Sequence, residues 1–133
     1  MRVRDIMTEE PLRVQSSSTL TAAVALLALG EVRHLPVVEG SGKVVGMLSE
    51  RDALGFLLPA RGEIAPQLEE GLSRPVTEVM SSDVVTIGPD ASVRELIDVL
   101  LEERIGAVPV VERDSLVGIA SYVDVLQAVR DLV

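Results

Sequence analysis

The sequence predicts a mixed α/β (α+β) fold in which a β-α-β-β-α unit occurs twice in tandem. A near-verbatim duplication comes first. Leu35-Pro36-Val37-Val38-Glu39, a turn and Val45-Gly46-Met47-Leu48-Ser49-Glu50-Arg51-Asp52 are echoed by Val108-Pro109-Val110-Val111-Glu112, a turn and Val117-Gly118-Ile119-Ala120-Ser121-Tyr122-Val123-Asp124. The register is the second observation. Met7, Leu27, Pro36 and Glu39 meet Met80, Leu100, Pro109 and Glu112 at one spacing; beyond the turn Gly46, Ser49, Asp52 and Leu54 meet Gly118, Ser121, Asp124 and Leu126 one residue short. A residue gained or lost in a surface turn is tolerated, so the copies remain one architecture. Thirdly, each copy alternates between short β-rich apolar runs and apolar residues at helical spacing. The repeats span 1–58 and 76–133, and 59–75 form a linker marked by Pro59, Gly62, Pro66, Gly71 and Pro75.

In the first repeat, Leu12-Arg13-Val14 reads as a strand and Ser16–Thr19 as a loop, followed by a helix with Leu20, Ala23, Val24 and Leu27 on one face. Strands at Leu35–Glu39 and Val44–Leu48 flank the turn Gly40-Ser41-Gly42-Lys43, and a helix follows near 50–58. In the second repeat, Val84-Val85-Thr86-Ile87 reads as a strand and Gly88-Pro89-Asp90 as a turn. Ser92 and Glu95 form a capping box before the stripe Val93, Leu96, Ile97 and Leu100. Strands Val108–Glu112 and Leu116–Ala120 and a helix near 122–132 complete the copy, and the linker carries a helical turn around Gln67–Leu72.

Composition narrows the function. A chain of 133 residues has room for one domain with a real core. No apolar run approaches the roughly 18–20 residues of a membrane span, and Met1-Arg2-Val3-Arg4-Asp5 has no signal-peptide core. A cytoplasmic location is therefore expected. The absence of cysteine excludes disulfides and thiolate chemistry. A net charge of −9, with one Phe, one Tyr and no Trp, argues against nucleic acid: there is neither a basic face nor a stacking platform. Hydrophobic residues make up 47% of the chain, a surplus that points to a surface covered by a second copy, a homodimer.

The duplication also repeats a polar pair, Ser49 with Asp52 and Ser121 with Asp124, where a strand gives way to a helix. Such a pair caps a helix whatever the protein does. The same place offers unpaired amides and a partial positive charge to a phosphate, and a nearby carboxylate can accept bonds from two ribose hydroxyls. The two roles are compatible.

Pro-Val-Val-Glu, a turn and Val-Gly-hydrophobic-x-Ser-x-x-Asp, in tandem after openings that end in Met7 and Met80, resemble a pair of cystathionine-β-synthase (CBS) domains, a Bateman module. The resemblance covers both repeats. It implies repeats packed with pseudo-two-fold symmetry and a regulatory, non-catalytic module. The implied ligands are adenosyl compounds: AMP, ADP, ATP, S-adenosylmethionine or a nicotinamide dinucleotide. By the same resemblance Asp52 and Asp124 hold ribose, Ser49 and Ser121 assist with phosphate, and the clefts are composite. Ser49 and Asp52 would then work with Val79, Val84, Ile105, Gly106 and Ala107. Ser121 and Asp124 would work with Ile6, Pro11, Val32, Arg33 and His34. Arg51 can meet phosphate while its counterpart Val123 cannot, so the sites differ in charge preference. One face of the paired helices makes the family's dimer contact. Such modules are commonly fused to the protein they regulate; with nothing fused in this sequence, a protein target in trans is expected. The alternative is a ligand-free structural adaptor that uses the same fold to bind a protein partner.

Other motifs carry less. Gly40-Ser41-Gly42-Lys43-Val44-Val45-Gly46 misses both phosphate-loop spacings, and the second repeat has Arg113-Asp114-Ser115 there. His34, the single histidine, stands where the second repeat has Ala107, with no nucleophile elbow, so a catalytic triad is not expected. The doublets Glu9-Glu10, Glu69-Glu70 and Glu102-Glu103 lack calcium-loop spacing and read as solvated surface, with no metal site.

Overall fold

The two repeats of the sequence fold into two units whose boundaries differ from the repeat boundaries. Unit I is Leu12–Val84; unit II joins Met1–Pro11 to Val85–Val133. The computed structural model describes residues 1–58 and 67–133; Pro59, Gly62 and Pro66 of the expected linker lie outside the described residues. In chain order the elements are α1 (Val3–Ile6), β1 (Thr8–Glu9), β2 (Val14–Gln15), α2 (Leu20–Gly30), β3 (His34–Glu39), β4 (Lys43–Ser49), α3 (Glu50–Leu57) and α4 (Gln67–Leu72). A 3-10 turn (Val76–Glu78) precedes α5 (Val93–Glu103), β5 (Ala107–Glu112), β6 (Ser115–Ser121) and α6 (Tyr122–Leu132). No helix among the described residues is long and apolar enough to cross a membrane.

In unit I, β3 pairs antiparallel with β4 and parallel with β2. The continuous apolar run Leu35-Pro36-Val37-Val38 is buried on both faces, as expected of a central strand. Leu35 and Val37 share a core with Leu20, Ala23 and Leu27 of α2, together with Val14, Leu48, Ala53 and Val76. In unit II, β6 lies between β1 and β5. Val108, Val110 and Ala120 pack on Leu96 and Leu100 of α5, with Val3 and Ile87. Ser92 caps α5 by accepting from the Glu95 N–H at 3.0 Å, while Glu95 itself stays exposed, so the cap is one-sided.

Two strand expectations change. The first strand lies at Val14–Gln15 rather than Leu12–Val14. The run Val84–Ile87 makes only one parallel bridge, Ile87 to Val110. Proline accounts for the one pair by which this bridge falls short of β2. In unit I the Ser16 N–H donates to the Val38 carbonyl at 2.9 Å and extends the ladder; Pro89 holds the equivalent place and has no N–H to donate.

The leading segment of each repeat packs in the other repeat's unit. Val3 is fully buried in unit II, its N–H bonded to the Ala91 carbonyl at 2.9 Å, and β1 pairs with β6. Val76 is likewise fully buried in unit I, its N–H bonded to the Ser18 carbonyl at 3.0 Å. Ser81 exchanges two backbone bonds with Met47 of β4, at 2.8 and 2.9 Å. Met80 covers Gly46, where a Cβ would overlap its sulfur; Met7 covers Gly118, where a Cβ would lie 2.6 Å from its sulfur. The repeated Met and the repeated Gly are thus two halves of one contact.

Candidate functional site

Both units build the same corner where the second strand of the hairpin meets the helix after it. In unit I, β4 ends at Ser49, which becomes the cap of α3. Ser49 Oγ accepts from the Asp52 N–H at 2.9 Å, and Asp52 Oδ2 accepts from the Ser49 N–H at 3.2 Å. Across the ladder Ser49 faces His34, and the Glu50 N–H donates to the Arg33 carbonyl at 2.7 Å. In unit II, Ser121 caps α6, accepting from the Asp124 N–H at 3.3 Å; Asp124 Oδ2 accepts from the Ser121 N–H at 2.8 Å. Ser121 faces Ala107, and the Tyr122 N–H donates to the Gly106 carbonyl at 3.1 Å. Backbone geometry is repeated; side chains are not.

The hydroxyls differ. Ser121 Oγ also donates to Asp124 Oδ2 at 3.1 Å, whereas Ser49 Oγ donates to no partner among the described residues. In both boxes the cap uses only Oδ2 of the carboxylate, so Oδ1 is an acceptor that capping does not need. Asp52 is exposed and Asp124 half-buried.

Charge differs as well. Around Ser49 stand Arg33, His34 and Arg51; the equivalent places around Ser121 hold Gly106, Ala107 and Val123. Burial pushes the His34 imidazole below its ordinary pKa, opposed by the Asp52 carboxylate; Arg33 lowers it further and Glu50 raises it. His34 is therefore neutral at pH 7. Among the described residues no cluster of three or more His, Asp or Glu side chains is placed to hold a metal ion.

The expected site residues fall between the units as follows. Val79, Val84, Val32, Arg33 and His34 share unit I with Ser49, Arg51 and Asp52; Val79 packs on that unit's core. Ile6, Pro11, Ile105, Gly106 and Ala107 share unit II with Ser121 and Asp124; Pro11 and Ala107 are buried, Ile6 half-buried and Ile105 exposed. Sequence reasoning missed Met47, Gly46 and Ser81, the contacts that hold the segment carrying Val79 and Val84 beside β4. The paired Met and Gly were the available signal.

A family model for the CBS domain matches residues 3–59 and 76–131. The CBS domain-containing protein YhcV of Bacillus subtilis is 32% identical over 122 residues, covering 92% of this chain and 81% of its own. The protein MJ1404 of Methanocaldococcus jannaschii is 29% identical over 136 residues, 98% of this chain but 32% of its own length. The chain also spans only 15% of the A-adding tRNA nucleotidyltransferase of Aquifex aeolicus, to which it is 28% identical. Similar solved structures include complexes with adenosyl ligands. The CBS domain pair of MJ0100, in complex with 5′-methylthioadenosine and S-adenosyl-L-methionine, has a TM-score of 0.81 and 25% identity over 100% of this chain and 98% of that one. CBSX2 in complex with AMP has a TM-score of 0.82 and 25% identity, covering 98% of this chain and 97% of that one.

Proposed function

The chain belongs to the CBS-domain family as a tandem pair, and on that premise we propose that it is a regulatory, non-catalytic protein that binds an adenosyl ligand. The observation that carries this reading is the split use of Asp52 and Asp124: one carboxylate oxygen completes the helix cap and the other is left for a ligand. A carboxylate so held is positioned before the ligand arrives, which lowers the ordering cost of binding. Ser49, Arg51 and Asp52, with Val79 and Val84, form the phosphate-preferring site, because Arg51 and the unspent Ser49 hydroxyl favour an anion. Ser121 and Asp124, with Ile6 and Pro11, suit an uncharged or cationic adenosyl group, their hydroxyl being already engaged and Val123 replacing the arginine. The MJ0100 and CBSX2 complexes support this ligand class. AMP, ADP, ATP, S-adenosylmethionine and nicotinamide dinucleotides are the candidates.

Signalling would pass to a protein target in trans from a homodimer. No residue of α6 is fully buried; Leu126 is 61% and Leu132 74% exposed, an apolar face suited to a second copy. That face also favours the second reading, a ligand-free adaptor that binds a protein partner.

A thermal-shift screen separates the two. A ligand at 100 times its dissociation constant adds about 2.7 kcal/mol if it binds only the folded state. For a domain of this size that raises Tm by roughly 5–10 °C. If no adenosyl compound at millimolar concentration moves Tm, the adaptor reading stands instead.

A further inference from the structure

Unit I has a titratable side chain where unit II has none. His34 opens β3 opposite Ser49, the residue that caps α3, while Ala107 opens β5 opposite Ser121. The imidazole is half-buried. The charged groups that act on it are Asp52 and Glu50 of α3, which favour its cation, and Arg33 just before β3, which opposes it. Lost hydration, aided by Arg33, outweighs the carboxylates and favours the neutral ring at pH 7. The outcome is a contest between opposed effects, so one more anion close by can reverse it. The Ser49 hydroxyl belongs to the residue across the ladder from His34, and Arg51 follows two residues later on α3.

On the reading that Asp52 holds a ribose, we propose that His34 is a proton-linked phosphate sensor. A phosphorylated adenosyl ligand at the Ser49–Asp52 corner brings its negative charge beside the imidazole, which takes up one proton from solvent. Affinity for phosphorylated ligands then rises as the solution becomes more acidic, while affinity for uncharged adenosyl ligands lacks this dependence. The sign comes from linkage. A ring more basic in the complex than in the free protein makes binding take up protons. The gain develops as pH falls through the higher value, by at most about tenfold per pH unit for one proton, and levels off below the lower one. Across the ladder from Ser121 stands Ala107, which does not titrate.

Because His34 is the only histidine, one imidazole resonance reports it without assignment. The test follows the His34 Cε1–H chemical shift against pH in the free protein, with saturating AMP and with saturating 5′-methylthioadenosine. Binding is checked separately by Tm. The midpoint should rise by roughly one pH unit with AMP, the scale on which a close opposite charge acts, and stay in place with methylthioadenosine. In His34→Gln, the AMP affinity profile should lose the part of its pH dependence that exceeds the titration of AMP's own phosphate. If AMP stabilises the protein but leaves the midpoint unmoved, the proton link is overturned and the nucleotide reading stands. If neither compound stabilises the protein nor moves the resonance, the nucleotide reading falls and takes the sensor with it.

Discussion

Replacing Asp52 or Asp124 with Asn separates the two roles assigned to each carboxylate. As a cap, the side chain accepts one backbone bond, from Ser49 at 3.2 Å or Ser121 at 2.8 Å. An Asn carbonyl accepts the same bond, so the remaining loss is a negative charge near a helix N-terminus, about 0.3–1 kcal/mol. The lower end applies to Asp52, which is exposed, and the upper end to Asp124, which is half-buried and also accepts from the Ser121 hydroxyl at 3.1 Å. As a ribose holder, Asn loses more. A hydrogen bond to a charged group contributes about 1.5–3 kcal/mol against roughly 0.5–1.5 for a neutral one. The difference, about 1–1.5 kcal/mol, is close to tenfold in Kd.

Titration calorimetry with AMP, paired with melting of the ligand-free proteins, reads the two roles independently. Asp52→Asn should weaken AMP about tenfold and leave the apo Tm nearly unchanged. Asp124→Asn should affect AMP less and the apo Tm slightly more. Unchanged affinity in both variants, together with a lowered apo Tm, would refute the reasoning: each Ser-x-x-Asp would be a helix cap and nothing else.

Two further perturbations test the scaffold and its electrostatics. Gly46→Ala places a Cβ 2.9 Å from Met80 Cγ and 3.0 Å from the Ser81 carbonyl, so it should cost about 1–3 kcal/mol by chemical denaturation. Met80→Ala in that background should recover part of the loss, and Gly55→Ala, on exposed α3 with nothing within 4 Å, should stabilise by roughly 0.5–1 kcal/mol. The lowered His34 pKa means that the unfolded chain binds more protons than the folded one below its ordinary value near 6.5. Stability should therefore be intact above that pH and decline as pH falls below it, and His34→Gln should flatten this part of a Tm-against-pH curve.

The sequence made the inner hairpins and final helices legible because each carries a strong local signal. Pro-Val-Val-Glu is too apolar for anything but a buried strand, and Ser-x-x-Asp ends the strand after it by capping the next helix. The observed β3, β4, β5 and β6 extend the expected strands by only one residue at each changed end. The outer strands were less legible because their length rests on donors elsewhere. Val84–Ile87 has strand composition, yet Pro89 removes the bond that would have prolonged it. Within the site, Ser49 and Asp52 were visible through repetition. That Asp124 engages the Ser121 hydroxyl while Asp52 leaves that of Ser49 unspent depends on rotamers that identical motifs do not encode.

The exchange of leading segments gives the repeats a physical dependence that their sequence similarity conceals. Residues 1–58, taken as one repeat, lack Val76, a fully buried member of the core that Leu20, Leu35 and Leu48 build. They also lack Met80, which covers Gly46, and Ser81, which satisfies both backbone groups of Met47. The second repeat in turn draws Val3, Met7 and β1 from the first. A buried apolar side chain and a pair of ladder bonds are together worth several kcal/mol, comparable with the whole stability of a small domain. The chain passes between the units twice, at Pro11/Leu12 and at Val84/Val85. Pro11 and Val84, both expected ligand neighbours, stand at those two crossings.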